Sequence, residues 1–286
     1  MERKELGEYS IKRVEDLIER ALLKYPKALR AWTLIKADHR VLASWEMANY
    51  LATRKMKYNV HDDTHAKMVA LNALRMLEFL EEANVKPDAV KDGYGDPDDA
   101  RLIVLLAALL HDIGNQVDRD GHNMYSVVLS NEILEEILSK IYEDSFKRTI
   151  IKAFILHAIH THMEETKSRT IEASVVKVAD GTDMTKGRSR LPYDMGNVNI
   201  HTVSALSIER VEIVRGSEKP VEIRVYMTNS AGIFQVEEIL YRKLESSVIF
   251  DYVDIIAITI PEEASVDKRL VRKIVTMGGK LEHLPK

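Results

Sequence analysis

The sequence predicts a mainly α chain, a helical bundle followed by a small C-terminal α+β domain, and three observations carry that prediction. Apolar residues recur at helical spacing from Ile11 to about Ala179, the pattern changes to β-branched alternation after about Leu206, and a mostly apolar run, YVDIIAITIP, follows it. The boundaries are a helical domain over 1–200 and an α+β domain over 206–286. A chain of 286 residues has room for both, since single cores stop growing near ~250–300 residues.

In chain order, VEDLIERALL, ALRAWTLIKADHRVLASWEMANYLA and HAKMVALNALRMLEFLEEA read as amphipathic helices. Residues 85–101, VKPDAVKDGYGDPDDAR, gather Pro, Gly and Asp without periodicity and read as an exposed loop; their aspartates read as turn formers, because the spacing does not fit a calcium loop. LIVLLAALLHDIGN and EASVVKVADGTDM read as buried helices, and residues 181–199 as the connection to the second domain. SIERVEIVRG and PVEIRVYMT form a hairpin across Gly-Ser-Glu-Lys, GIFQVEEILYRKLE a helix, and YVDIIAITIP a buried strand. VDKRLVRKIVTMGG reads as a last amphipathic helix stopped by Gly278 and Gly279.

Composition narrows the function. A net charge of −4 gives no overall basic field, so a nucleic-acid partner is not expected without a local basic patch. Cysteine is absent, which excludes disulfides, thiolate zinc sites and cysteine nucleophiles, and any metal must be held by nitrogen and oxygen. The charged N-terminus has no apolar signal core and no run approaches the ~18 apolar residues of a membrane span, so the expected location is cytoplasmic.

Of ten histidines, seven lie in the middle third, and that clustering asks for a cause. An apolar helix runs from Leu102 into the doublet His111-Asp112, and a second runs through Val175, Val176 and Val178 into Asp180. A buried ionised carboxylate without a partner costs several kcal/mol, whereas a divalent cation satisfies Asp and His together. His65 opens a helix whose Val69, Ala73 and Leu77 keep one face apolar, and it can point into the same cavity. His61, one turn earlier, competes with it; His65 is preferred because the apolar pattern begins there.

These residues resemble the pattern of the HD-domain metal phosphohydrolases: a His opening one helix, a His-Asp doublet ending the next, and a distant Asp. The resemblance covers roughly residues 55–195, with ALLHDIGN its most specific part, and it assigns His65, His111, Asp112 and Asp180 as metal ligands. It further implies a second metal held by histidines between the doublet and the last Asp. His122, His157 and His160 are favoured for it, because His157 and His160 share a helix face while His162 points away if that helix continues. Phosphate binding or simple packing is the alternative for this second set.

The implied reaction is hydrolysis of a phosphomonoester or phosphodiester by a water whose pKa a bound metal lowers to about 7. His122 or Asp183 would handle protons as catalytic residues. Lys186, Arg188 and Arg190 would bind substrate phosphate through their cationic groups, against the alternative of a solvated loop; Lys57, Lys67 and Arg119 are weaker candidates. The cofactor is one or two divalent ions of Mn, Fe, Co, Ni, Zn or Mg, and the partner a small phosphorylated substrate such as a nucleotide. The C-terminal domain resembles small-ligand regulatory domains in TNSAGIFQVEEIL, with strand-mediated homo-oligomer formation the plainer use. The alternatives are a non-catalytic nucleotide-binding module and a nucleic-acid hydrolase, the latter resting on Lys268, Arg269, Arg272, Lys273 and Lys280.

Overall fold

The computed structural model describes residues 11–188 and 200–260, with the backbone of strands 273–277 and 280–283. Helix α1 (Ile11–Leu22) buries Val14, Ile18 and Leu22 at four-residue spacing. α2 (Pro26–Ile35) starts on a proline whose missing N–H costs nothing there, and α3 (His39–Asn49) is capped by Asp38 and runs into a π-helical turn, Tyr50–Lys55. Next come α4 (Asp63–Glu82), the short α5 (Asp88–Lys91), α6 (Pro97–Leu110), α7 (His122–Ser139), α8 (Ser145–His160) and α9 (Ile171–Thr182). α6 is the axis of the bundle: every residue from Asp99 to Leu110 is buried, and α2, α4, α8 and α9 pack around it.

The segment expected to be a loop over 85–101 contains two helical pieces: α5, and the first turn of α6, which begins at Pro97 under a reciprocal cap between Asp96 and Asp99. Asp98 accepts the backbone N–H groups of Lys27 and Ala28, and Asp99 binds Lys27, Lys147 at 2.8 Å and the Tyr142 hydroxyl. Pro at the first helical position and Asp at the cap make this segment a helix start.

A short helix (Ile200–Leu206) leads into a sheet of strands β1 (Ile208–Arg215), β2 (Val221–Met227), β3 (Val253–Thr259), β4 (Lys273–Met277) and β5 (Lys280–His283), ordered as numbered. β1 and β2 form the expected antiparallel hairpin, and β3 joins β2 in parallel. The crossover between β2 and β3 carries one continuous helix of three parts, α-helical at Ile233–Gln235, π-helical at Val236–Tyr241 and α-helical at Arg242–Glu245; we call it the mixed helix. The last expected helix is corrected: KIVTM is β4, antiparallel to β3, with β5 beside it, because the β-branched Ile274, Val275 and Thr276 suit an added strand. Lys268, Arg269 and Arg272 lie outside the described residues, as does Arg190.

One cluster of buried apolar side chains runs from Val14 through the bundle to Ala257 in β3. The mixed helix rests on α9, where a Cβ at Gly181 would stand 3.4 Å from the Leu240 Cα. That close approach brings the second unit against the end of α9.

Candidate metal centre

Five chain segments deliver side chains to one point. Asp62 caps α4 by accepting the N–H groups of Thr64 and His65, which fixes His65 in the first turn, with His61 just before it. His111 ends α6, and Asp112 opens a tight 3-10 turn, Ile113–Gln116. Gly114 is required there, since a Cβ would lie 2.0 Å from the His122 carbonyl oxygen; its absence lets the start of α7 bring His122 in. His162 follows the end of α8, and Asp180 and Asp183 stand at the end of α9.

The distances form a continuous cluster. Asp112 Oδ2 lies 2.5 Å from His61 Nδ1, 3.3 Å from His65 Nε2 and 3.5 Å from His111 Nε2. Asp180 Oδ1 lies 3.2 Å from His65 Nε2 and 3.6 Å from His111 Nε2. Asp112 Oδ1 faces His122 at 3.3 Å and His162 at 3.8 Å, and the Nε2 atoms of those two histidines are 3.0 Å apart. Three overlapping triads, His61-His65-Asp112, His65-His111-Asp180 and His111-Asp112-His162, each bring their donor atoms within 4.8 Å of one another.

Hydrogen bonds on the far side of each ring set its orientation. His65 Nδ1 meets Asp183 Oδ2 at 2.7 Å, and the Nδ1 atoms of His111, His122 and His162 meet the carbonyls of Ala108, Arg119 and Ile159. This leaves the Nε2 atoms of these four rings directed inward, while His61 faces Asp112 through its Nδ1. Asn115 donates to Asp112 Oδ1 at 3.0 Å.

The residues fit a divalent metal on two counts. His65 Nε2 and His111 Nε2 are buried without a hydrogen-bond partner, which is rare unless something else occupies the lone pair. Three carboxylates, Asp112, Asp180 and Asp183, also converge on His65. Burial pushes Asp112 and Asp180 up, yet the imidazoles around both and Lys243 beside Asp180 hold them well below the ordinary carboxylate range. Burial lowers His61 to about 3, with Arg188 and Arg119 adding to that and Asp112 opposing it. Burial likewise draws His65 down, but its three carboxylates outweigh it and raise it to about 10. Asp112 and Asp180 are therefore buried carboxylates held in the charged form, which a cation would satisfy.

The sequence-derived candidates divide. The structure brings together His65, His111, Asp112, His122 and Asp180, with Asp183 behind His65. It does not bring His157 or His160: His157 Nε2 accepts the Arg169 N–H, and His160, despite a buried Nδ1 without a partner, lies outside the cluster. His162, which the helical-face argument set aside, takes their place because α8 stops at His160 and the chain turns inward. His61 joins His65 rather than competing with it.

Among the phosphate candidates, Arg188 lines the cavity beside the cluster and donates to the carbonyls of Val60 and Asp183. Lys186 points away, paired with Glu209. Lys67 is buried against Glu15 and Asp63, whereas Lys57 and Arg119 line the cavity, Lys57 in a left-handed backbone conformation. No sequence motif points to Lys243, whose Nζ sits 2.8 Å from Asp180 Oδ2 across 63 residues of chain. The cavity holds about 290 Å³, with Gln235, Ile239 and Lys243 of the mixed helix in its wall.

The HD domain family model matches residues 62–185, the span that carries every one of these clustered histidines and aspartates except His61. The chain belongs to the HD-domain superfamily. The uncharacterized protein MJ1020 of Methanocaldococcus jannaschii is 49% identical to this HD-domain chain over 224 residues, 78% of this chain and 86% of that protein. No solved structure matches. HD-domain proteins are generally metal-dependent hydrolases, and the buried His/Asp groups here could hold such an ion. Among the described residues no helix is long and apolar enough to cross a membrane.

Proposed function

We propose that this protein is a metal-dependent phosphohydrolase acting on a small phosphorylated molecule, a nucleotide being the leading class. The observation that carries the reading is the pair of partnerless Nε2 atoms on His65 and His111, set between Asp112 and Asp180, whose carboxylates line a cavity shared with Lys57, Arg119 and Arg188. His65, His111, Asp112 and Asp180 would hold one ion, with His61 beside the same Asp112 oxygen; His122 and His162, which face the other oxygen of Asp112, would hold a second. A bound divalent ion supplies Lewis acidity and a nucleophilic hydroxide at neutral pH.

The rest falls to the chain's own groups. Arg188 and Arg119 present guanidinium groups at the cavity, where a phosphate dianion would find bidentate donors. Lys57 adds a third cation at the rim, and we assign no phosphate contact to Lys186. Asp183 accepts from His65 Nδ1 and keeps that ring's other nitrogen free to ligate, a positioning part that replaces the proton transfer expected of it. His122 lines the cavity and is the group we place nearest the leaving oxygen. A volume of about 290 Å³ lies at the small end of ligand cavities and favours a small ester over a polymer. The β1 edge of the sheet is open among the described strands, and we assign it to a homodimer, checked by light scattering in solution.

The test is metal content by elemental mass spectrometry on protein purified without chelator, followed by a panel of phosphomonoesters and phosphodiesters with added Mn²⁺. Stoichiometric metal with turnover of one class supports the reading, and about two ions per chain supports the paired site. Absence of metal under all loading conditions overturns it and leaves a non-catalytic binding module.

A further inference from the structure

The mixed helix belongs to the C-terminal unit, yet its Lys243 reaches into the metal cluster. The side chain is buried, and its Nζ donates to Asp180 Oδ2 at 2.8 Å and to the His162 carbonyl at 2.7 Å, with Glu164 at 3.7 Å. The two oxygens of Asp180 are thereby given different work. Oδ1 faces His65 and His111, while Oδ2 is occupied by an ammonium. A carboxylate so held offers a cation Oδ1 in preference, because an ion on Oδ2 would sit against the ammonium.

We propose that Lys243 is a positioning residue that holds Asp180 so that Oδ1 is the oxygen it would offer a divalent ion, and that ties Asp180 to the turn carrying His162. This rests on the metal-site reading above. Three further features agree. Gly181 lacks the Cβ that would stand 3.2 Å from the Lys243 Cδ, so the lysine stem passes directly over α9. Gln235 and Ile239 on the same helix also line the cavity, which makes this helix part of the site's wall. Gln235 Nε2 in turn donates to the His201 carbonyl and Ser204 Oγ, anchoring the helix at its other end.

The experiment is a Co²⁺ titration of the full chain, stripped of metal and followed by visible absorption, for wild type, Lys243→Met, Asp180→Asn and the double variant, with far-UV circular dichroism on each. Hydrogen-bond partners of ligands typically contribute roughly 10- to 100-fold in metal affinity, and Lys243→Met is expected to lose that much and to change the Co²⁺ spectrum. In the Asp180→Asn background the same change is expected to cost little, because the lysine acts through that carboxylate. Lys243→Arg, which keeps charge and donor, is expected to fall between wild type and Lys243→Met. Unchanged affinity in Lys243→Met, or an equal loss in both backgrounds, overturns the proposal. Should Lys243→Met fail to fold, Lys243→Gln carries the same expectations. A wild type that binds no Co²⁺ instead takes down the metal-site reading, and this inference with it.

Discussion

Asp112 is the residue on which most of the site converges, and its substitution should separate function from fold. Asp112→Ala and Asp180→Ala are each expected to abolish metal binding and hydrolysis while the far-UV spectrum stays helical; turnover retained by either would sink the site assignment. His61→Ala and His162→Ala are expected to lower metal affinity roughly 10- to 100-fold, whereas His157→Ala should leave it unchanged, because His157 is spent on the Arg169 N–H. The doublet was legible in the sequence since an unbroken apolar helix does not end in His-Asp without a partner for the charge. His162 was not, because face arithmetic assumes that a helix continues, and α8 ends two residues before it. Lys243 was illegible for a different reason: no local pattern announces a contact made across 63 positions.

At the level of elements, the start of α6 joins three helices through one carboxylate. Asp99 caps its own helix and receives Lys27 from α2, Lys147 from α8 and the Tyr142 hydroxyl. Burial pushes its pKa up, but those partners outweigh it and hold the group below its usual value. A carboxyl depressed in the folded state gives stability that is present above the unfolded value of about 3.9 and is lost as pH falls through the folded one. Asp99→Asn is therefore expected to lower stability by about 1–3 kcal/mol at pH 7, with the gap to wild type closing below about pH 4, as read by urea unfolding across pH. The turn after Asp112 is equally intolerant. Gly114→Ala would press on the His122 carbonyl and on Ser126, so it is expected to cost about 1–3 kcal/mol and to weaken metal binding by moving α7, measured by thermal melts with and without Mn²⁺. Caps such as Asp96-Pro97 were readable signals that a count of Gly, Pro and Asp obscured, and the final strand was masked by charged residues whose spacing imitates a helix.

Across the whole molecule, the helical bundle and the sheet were legible from periodicity, but the way they meet was not. The apolar core is shared from Val14 to Ala257, and the cavity wall draws on both units. Calorimetry is accordingly expected to give one cooperative transition for the described body, with two resolved transitions counting against a shared core. A metal that binds only the folded chain should raise that transition, by about 2.7 kcal/mol at a hundredfold excess over Kd, and a chelator should reverse it.

Only two tryptophans occur in the chain, Trp32 and Trp45, and both are buried. Trp45 donates its indole N–H to the Leu109 carbonyl at 2.9 Å, two residues before His111, and Lys67 stands over its ring. The protein thus carries its own optical gauge on the last turn of α6. Any ion or phosphate that settles at the histidine–aspartate cluster will change the field around Trp45, and Trp32→Phe removes the other fluorophore while Trp45→Phe should abolish the response, so occupancy can be followed in real time without a label or a known substrate.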